Sequence, residues 1–338
     1  MQIVKVVIPC RNEEAYIGRC IDSLLQSELQ DVSLIIAVVD GMSDDGTREI
    51  VARYASLHSS VQLVDNPQRT TPFALNLGLR TMDYDVGIIL GAHAEVEPDF
   101  IMRNLRVLLE HPEVGCAGGI ITNVHENDLS QVISMAMASP FGVGNAYFRT
   151  GGKAGYVDTV AFGAYRREVF EQCGFFDEEL IRNQDDEFNY RIGLKGFKIY
   201  LEPAIRSRYF VRGSFTKLYK QYFQYGYWKV FVNKKHRAIT SLRQLAPPLW
   251  MLFVMIGWIG FFVHPYLGYA YIGLLLTYLG IAKYVALTSS RFRINLMLKL
   301  LWCYCILHGS YGLGYLKGIL HFYVLSRKPS KGSASLTR

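Results

Sequence analysis

The sequence predicts an α/β domain with a doubly wound, mostly parallel sheet, followed by helices that enter a membrane. Short apolar strands alternate with helical patterns through the first ninety residues, as in a parallel sheet. All 29 acidic residues lie at or before Glu202, so the two parts of the chain differ sharply in charge. A 39-residue stretch without a charged side chain, 244–282, is close to two membrane spans of about 20 residues each.

The charge distribution indicates the kind of partner. Up to Glu202 the chain has 17 Lys and Arg, and from Pro203 onward it has 19 Lys and Arg and no acid. A basic, aromatic-rich segment suits either a nucleic acid or the anionic face of a membrane. The uncharged stretch 244–282 favours the membrane, because a soluble nucleic-acid-binding protein does not need a segment of that length without charges. We therefore predict a membrane partner and no nucleic-acid partner.

The first four strands of the sheet and their loops come early in the chain. Ile3–Ile8 and Leu34–Asp40 are apolar runs that end in polar turns, and a helix is expected from about Glu13 with Asn12 as its cap. The elements predicted after Asp40 are the helix Thr47–Tyr54, the strand Val61–Val64, the helix Pro72–Arg80, the strands Val86–Leu90, Val114–Thr122 and Val157–Tyr165, and the helix Arg167–Gln172.

Two loops follow strand ends and are candidates for binding a nucleotide, 9–14 and 40–45. Ligands of open α/β sheets bind at the carboxyl ends of strands, where Asp40 lies. The alternative is a solvated turn in which Asp45 or Thr47 caps the next helix. The chain has no GxGxxG after the first strand and no GxxxxGK[ST], so it supports neither a dinucleotide fold nor a P-loop.

Three further groups of residues are candidates for chemistry. If the strand Val86–Leu90 continues, His93 and Glu95 project to the same side and form a pair for a divalent cation; otherwise they are an exposed His and a helix-start Glu. The segment Ser139–Tyr156 is expected to be a mobile loop, in which Arg149 and Lys153 either meet phosphate or lie on an unstructured surface.

The third group is a run of acids. Asp185, Asp186 and Glu187 precede a helical pattern, where acids favour the helix dipole. The alternative is that one of the three is a general base whose pKa depends on its neighbours.

Several segments in the second half of the chain predict attachment to a membrane. Thr216–Val232, rich in Lys and aromatic residues, predicts an interfacial helix, and His264-Pro265 predicts the turn of a helical hairpin. Leu296–Leu325 either spans the membrane or is re-entrant, and we favour a third span because 300–316 is uncharged. Basic residues flank the hairpin on both sides: Lys234, Lys235, Arg237, Arg243, Arg291 and Arg293.

These features predict a multi-pass plasma-membrane protein with its N-terminal domain in the cytoplasm, by the positive-inside rule. The expected domains are 1–212 (catalytic), 213–243 (basic interfacial helix), 244–326 (membrane helices) and 327–338 (a basic tail whose last residues are disordered). The six cysteines form no CxxC pair and are expected to be reduced thiols.

Seven segments together resemble the family 2 glycosyltransferases, and in particular the membrane-attached enzymes of succinoglycan-type exopolysaccharide assembly. The segments are 8–14 (IPCRNEE), 38–47 (VVDGMSDDGT), 66–79 (NPQRTTPFALNLGL), 91–100 (GAHAEVEPDF), 157–170 (VDTVAFGAYRREVF), 183–199 (NQDDEFNYRIGLKGFKI) and 221–229 (QYFQYGYWK). The resemblance implies a GT-A fold, a nucleotide-sugar donor (UDP-sugar first), inversion at the anomeric carbon, a divalent metal and a lipid-linked acceptor.

The resemblance also implies roles for individual residues. The nucleobase and ribose would be held by Pro9, Arg11, Asn12, Glu13 and Asp40. Asp185 matches the Asp of the family's ED motif, the general base, with Gln184 in place of the usual Glu. The acceptor and the membrane interface would be met by Asp186, Gln221, Tyr225, Gly226, Trp228 and Lys229.

The sequence departs from the family where Asp-x-Asp is usual. Gly91-Ala92-His93 lacks the first Asp and places His93 at the second, with Glu95 where some relatives supply another metal ligand. Because His is a poorer ligand for Mg²⁺ than for Mn²⁺, we expect Mn²⁺ over Mg²⁺. Two rival functions stay open: a polyprenyl-phosphate sugar synthase, and an inactive membrane scaffold.

Overall fold

The structure, a computed structural model, describes residues 1–211 and 213–329. The predicted disorder of the last residues lies outside this range. The chain divides into two compact units. The first, which we call the sheet unit, comprises Met1–Val124 and Ala146–Phe210. The second, the helical unit, comprises His125–Asn145 and Val211–Arg338.

The described residues form nine strands and fourteen α-helices. The strands are β1 (Gln2–Cys10), β2 (Val32–Asp40), β3 (Val61–Asp65), β4 (Val86–Ile89), β5 (Ala94–Val96), β6 (Val114–His125), β7 (Gly155–Val157), β8 (Ala161–Arg166) and β9 (Lys198–Val211). The helices are α1 (Ile17–Leu25), α2 (Thr47–Leu57), α3 (Thr71–Leu79), α4 (Phe100–Glu110), α5 (Asp128–Met137), α6 (Pro140–Val143), α7 (Tyr147–Thr150), α8 (Arg167–Cys173), α9 (Gln184–Leu194), α10 (Phe215–His236), α11 (Ala246–Ile256), α12 (Gly260–Val263), α13 (Pro265–Ser289) and α14 (Ile294–Ile319).

The sheet is mixed, in the order β3-β2-β1-β4-β8-β6-β9-β5, with β7 also paired to β9. The first four strands are parallel, as their alternation with helices predicts. Their register places Cys10 beside Asp40 and Val7 beside Ile89. The strand ends of β1, β2 and β4 therefore emerge at one edge of the sheet.

Helices cover both faces of the sheet. On one face, Val4, Val6 and Ile8 of β1 pack with apolar residues of α1, α2 and α4. On the other face, Val7 packs with residues of α3, α8 and α9. The alternation along β1 is what a strand buried on both faces requires, and it makes the fold doubly wound as predicted.

Several local predictions differ from the structure. The first helix begins at Ile17 rather than Glu13, and Asn12 does not cap it, because Asn12 adopts a left-handed conformation (φ 54°) in the preceding loop. The segment 139–156 is not a structureless loop but holds α6, α7 and the start of β7. The pattern also missed β5, β9 and α5. Pro203 and scattered charges hide β9, because they interrupt an apolar period.

The helical unit is built on α10 and α14, whose backbones approach closely at glycines. A Cβ added to Gly226 would lie 2.1 Å from the carbonyl oxygen of Tyr311, and one added to Gly314 would lie 2.0 Å from that of Phe223. α10 is therefore buried along one side by α14, which composition alone does not predict.

Three stretches of the helical unit are long and apolar enough to cross a membrane: Leu242–Val263, Pro265–Ser289 and Ile294–Val324. The predicted turn at His264-Pro265 separates the first two, where the His264 side chain accepts a hydrogen bond from the Tyr266 backbone N–H. Leu296–Leu325 lies within the third stretch and its immediate continuation.

Gly119 of β6 provides a test of the sheet packing. An added Cβ would lie 1.8 Å from the carbonyl oxygen of Ile205, which is backbone and cannot turn aside. We expect Gly119→Ala to destabilise the protein by about 3 kcal/mol or more. Gly193→Ala in α9, where no atom lies within 4 Å of the added methyl, is the control and should be neutral or stabilise by up to about 1 kcal/mol. Calorimetry measures both, and equal unfolding temperatures would contradict this packing.

Candidate functional site

The loops after β1 and β2 interlock at the edge where the parallel strands end. Gly41 N–H donates to the Cys10 carbonyl (2.7 Å) and Asn12 N–H donates to Ser43 Oγ (2.8 Å). The Asn12 side chain exchanges two hydrogen bonds with Asp44, at 2.7 and 3.1 Å. The side chain of Arg11 lies over Gly41, where an added Cβ would come within 3.3 Å of it. Together these contacts make the two loops one surface.

Asp40 is fully buried beneath this surface. Its carboxylate accepts hydrogen bonds from the N–H and Oγ of Ser43 (2.9 and 2.5 Å) and from Nη1 of Arg48 (2.7 Å). Arg48 also reaches Asp65 at 2.8 Å, and its hydrogen bonds to Asp65 and Asp40 raise its pKa. Asp40 thus holds the loop that follows β2 in place. Pro9, a separate prediction, lies within β1 beside Val39.

Asp45 lies directly before Gly46, the N-cap residue of α2, so neither Asp45 nor Thr47 is the cap that the alternative reading expected. Oδ1 of Asp45 accepts from Thr47 N–H at 3.0 Å, at the start of α2. Slight burial opposes ionisation, but hydrogen bonds from Thr47 and Glu14 outweigh it and lower the pKa of Asp45. Thr47 is engaged as well, since its Oγ1 accepts from Glu13 N–H at 2.8 Å.

His93 lies in the turn between β4 and β5. Its ring meets the edges of Tyr209 and Tyr16 at centroid distances of 4.8 and 6.5 Å, and its carbonyl accepts from Phe210 N–H. Its Nδ1 is buried and lies 3.4 Å from Oε1 of Glu13, and it forms no hydrogen bond with any residue of 1–211 or 213–329.

Glu95 is directed elsewhere. It lies opposite Arg208 in the pairing of β5 with β9, and its Oε2 is 3.9 Å from Nη1 of that arginine. The expected His93–Glu95 pair assumed that β4 continues, but the turn closed by the Ala94 N–H to Gly91 carbonyl bond (3.1 Å) resets the direction of the chain. Glu13, from the loop after β1, takes the place beside His93.

Arg149 reaches the same neighbourhood from α7. Its guanidinium lies over the rings of Phe148 and Tyr209, with Cζ 5.4 and 5.7 Å from their centroids. Tyr209 is therefore shared by Arg149 and His93. Nη1 of Arg149 is buried and has no hydrogen-bond partner in the part of the chain that the structure describes. Lys153 is exposed between α7 and β7.

A divalent cation fits this site only with help from a ligand. Within residues 1–211 and 213–329, no group of three or more His, Cys, Asp or Glu side chains is placed to hold a metal ion. The unpartnered Nδ1 of His93 and the nearby Glu13 carboxylate do fit one cation as a two-residue set.

The three acids of α9 have separate surroundings. Glu187 is buried and forms a two-pronged ion pair with Arg191 at 2.9 and 2.8 Å, so its role is structural. Asp185 is exposed, and its Oδ1 accepts from Asp186 N–H at 2.9 Å. Asn189 lies one turn after Asp185 on the same face of the helix.

Asn189 ties this face of α9 to the edge of the sheet. Its side chain donates to Thr159 just before β8 (3.0 Å) and accepts from the hydroxyl of Tyr165 (3.2 Å). Because β8 runs antiparallel to β4, Thr159 lies at the edge where β4 ends. Burial above all, with the nearby Cys116 and Asp185 charges, raises the pKa of Tyr165 far above its usual range.

The residues predicted for the acceptor lie on α10 in the helical unit. Gly226, Trp228 and Lys229 are buried, and among the described residues Trp228 Nε1 has no hydrogen-bond partner. Gln221 and Tyr225 are half-buried and joined by a 3.0 Å hydrogen bond from Nε2 to the phenol oxygen.

Comparison with solved structures defines the class of protein. The chain is similar to the mannosyltransferase PcManGT of Pyrobaculum calidifontis, solved with GDP-Man and Mn²⁺, with a TM-score of 0.58, 17% identity and coverage of 94% of this chain and 86% of that one. It is also similar to S. aureus TarS residues 1–349, solved with UDP, with a TM-score of 0.53, 14% identity and coverage of 97% and 92%. The fold is the GT-A fold of glycosyltransferases, as predicted.

Sequence comparison adds the family. The model of glycosyl transferase family 2 matches residues 5–174. The chain is 30% identical over 243 residues to a dolichyl N-acetyl-α-D-glucosaminyl phosphate 3-β-D-2,3-diacetamido-2,3-dideoxy-β-D-glucuronosyltransferase of Methanococcus voltae, covering 70% of this chain and 75% of the relative. It is 31% identical over 247 residues to the succinoglycan biosynthesis protein ExoA of Rhizobium meliloti, covering 72% and 73%. The chain belongs to glycosyl transferase family 2 and is a glycosyltransferase.

Sequence reasoning missed two of the residues around His93. Tyr209 lies on β9, a strand that the pattern did not predict, and Tyr16 was taken as part of a helix. The aromatic pair Tyr209-Phe210 next to a basic, alternating stretch was the only available signal for β9.

The separate roles of the acids in α9 can be tested by stability. Glu187→Gln removes the buried carboxylate that pairs with the half-buried Arg191, and we expect a loss of about 3 kcal/mol in the free energy of unfolding. The matched control is Glu171→Gln, which removes an exposed i,i+4 partner of Arg167 (3.3 Å) and should cost less than about 1 kcal/mol. Chemical or thermal unfolding checks both, and similar losses would show that burial does not distinguish the two pairs.

Proposed function

We propose that the protein is an inverting enzyme that moves a sugar from a nucleotide-sugar donor to a lipid-linked saccharide at the cytoplasmic face of the plasma membrane. The product would be an exopolysaccharide or another cell-surface glycan. The observation that carries the proposal is the pair of unpartnered buried atoms, Nδ1 of His93 and Nη1 of Arg149, on side chains that contact the same Tyr209.

These two groups suit the diphosphate of a donor. A guanidinium such as that of Arg149 forms strong, directed hydrogen bonds to phosphate oxygens, whereas Nδ1 of His93 would act through a cation bound to its lone pair. A buried polar atom without a partner is costly unless a ligand satisfies it. Both groups lie near the loop that follows β4, at the edge where ligands of open α/β sheets bind. Lys153, exposed and close in sequence, would add positive charge at the rim.

The nucleoside would lie on the joined loops after β1 and β2. This surface offers the backbone of Pro9 and the side chains of Arg11 and Asn12, with Asp40 buried beneath it. Because Asp40 is held by Ser43 and Arg48, its part would be to fix the floor of the subsite. We propose a UDP-sugar as the first donor to test. TarS, a fold relative, was solved with UDP.

Asp185 is the proposed general base. It is the exposed acid of its cluster, and it lies on the face of α9 that Asn189 fixes to the sheet edge. The Asp185 carboxylate would take the proton of an acceptor hydroxyl while that oxygen forms a bond to the anomeric carbon. The bond from this carbon to the diphosphate oxygen breaks on the opposite face, which inverts the configuration. Arg149 would stabilise the charge that develops on the leaving diphosphate.

A divalent metal ion is proposed beside His93, with Mn²⁺ favoured over Mg²⁺ because one ligand is an imidazole nitrogen. When bound, such an ion neutralises charge on the diphosphate. PcManGT was solved with Mn²⁺.

The proposals of a lipid-linked acceptor and of a membrane location are based on the helical unit. Three of its stretches can cross a membrane by length and composition, and the basic residues around them favour a cytoplasmic sheet unit. The Methanococcus voltae relative is named for a dolichyl-linked sugar phosphate, which supports a saccharide acceptor. Asp186 and the α10 residues Gln221, Tyr225, Gly226, Trp228 and Lys229 are proposed to meet it.

Two other functions make different predictions. A polyprenyl-phosphate sugar synthase has a phosphate as acceptor, so no proton needs removing and Asp185 would matter little. An inactive scaffold would bind no nucleotide in a metal-dependent way. Incubating membranes with a panel of nucleotide sugars and a lipid extract, then identifying products by mass spectrometry, tests the proposed transfer directly. Absence of any sugar-lipid product would contradict it.

Replacing Asp185 tests the base. We expect Asp185→Asn to lower the turnover of sugar transfer at least about 100-fold while the affinity for the nucleoside diphosphate stays unchanged, because the amide cannot accept the proton. Turnover is measured in membranes and affinity by calorimetry.

The control for Asp185→Asn is Glu49→Gln. It removes another exposed acid from the first turn of a helix, α2, and so reports only the loss of favourable helix-dipole charge. Its turnover should be near that of the unmodified protein. Near-normal turnover of Asp185→Asn, or an equal loss of turnover in Asp185→Asn and Glu49→Gln, would reject Asp185 as the general base.

A further inference from the structure

We infer that Glu13, and not Glu95, is the carboxylate that binds a divalent cation together with His93. This inference rests on the proposed nucleotide-sugar donor, because two protein ligands leave most of the coordination sphere to diphosphate oxygens and water. It assigns Glu13 to the metal ion, whereas the family resemblance implies a contact with the nucleoside.

The distance between the two groups supports a shared ion. Metal–nitrogen and metal–oxygen bonds of about 2.1 Å at a right angle place the two ligand atoms about 3 Å apart. Nδ1 of His93 and Oε1 of Glu13 are 3.4 Å apart, without forming a hydrogen bond. The observed separation exceeds that spacing by about 0.4 Å.

Both ligands are held in place by their surroundings. The backbone of Glu13 is fixed from two sides, because its N–H donates to Thr47 Oγ1 and its carbonyl accepts from the N–H groups of Tyr16 and Ile17 (3.0 and 2.9 Å). The Glu13 side chain is only 6% exposed. The ring of His93 is bounded by Tyr16 and Tyr209. A carboxylate this buried, facing an imidazole nitrogen that lacks a hydrogen bond, is a favourable setting for a cation.

Glu95 has a different electrostatic partner. Arg208 stands opposite Glu95 across β5 and β9, and it also contacts Glu97 at 3.1 Å. The guanidinium therefore lies between two carboxylates and neutralises them. A cation at Glu95 would compete with Arg208, whereas the Glu13 carboxylate lies 3.4 Å from the imidazole of His93.

The test measures binding of Mn²⁺ and UDP to the full chain in detergent, without any assay of sugar transfer. Calorimetry gives the UDP affinity with Mn²⁺ and with EDTA, and electron paramagnetic resonance reports nitrogen coupling to the bound ion. We expect Glu13→Gln and His93→Ala to weaken Mn²⁺-dependent UDP binding at least about tenfold, and Glu95→Gln to change it less than about threefold. His93→Ala should also abolish the nitrogen coupling.

The UDP titration in EDTA distinguishes a role of Glu13 in metal binding from a role in nucleoside binding. UDP affinity in EDTA should be the same for Glu13→Gln and the unmodified protein, which also shows that the variant is folded. If Glu13→Gln loses the same amount of UDP affinity in EDTA as in Mn²⁺, Glu13 contacts the nucleoside and the inference is overturned. A larger loss of Mn²⁺-dependent UDP affinity in Glu95→Gln than in Glu13→Gln would also overturn it. If the unmodified protein binds neither UDP nor GDP with Mn²⁺, the proposed function itself fails.

Discussion

The parallel register of β1 with β2 and β4 is the constraint on which the candidate site depends. It sets Cys10 beside Asp40 and Val7 beside Ile89, so that three loops leave the sheet at one edge. Asn12, Asp44 and Gly41 then join two of these loops by hydrogen bonds, and the third carries His93. A shift by one residue would turn the buried faces of these strands outward and separate the loops.

Burial and pairing divide the acids of the sheet unit by role. Glu187 and Asp40 are buried, each held by an arginine, and they support the fold around the site. Asp185 is exposed at the start of α9, on a helix that Asn189 anchors. Glu13 lies between these two cases. It is buried like Glu187 and Asp40, but the side chain beside it is an imidazole that is charged only when protonated. The Glu13 carboxylate is the one that we infer to bind a cation together with His93.

Much of the fold follows from the sequence, because β1 to β4 are apolar runs with clear turn residues at their ends. The membrane-crossing length of the second half is equally plain from hydropathy. The antiparallel strand β9 was hidden by Pro203 and by alternating charges, and Tyr209 was missed with it. The partner of His93 could not be predicted from spacing, since a tight turn separates it from Glu95 and the chain returns Glu13 from eighty residues away.

The proposed function requires that a nucleoside diphosphate binds where the parallel strands end, next to His93. A structure of the full chain with UDP and Mn²⁺ in a lipid nanodisc tests it most directly. We expect density for the nucleoside on the joined loops of Asn12 and Gly41, with the diphosphate between His93 and Arg149. Nucleotide bound at the amino ends of the strands instead, in the cavity of about 780 Å³ lined by Gln2, Asp85 and Arg106, would contradict it.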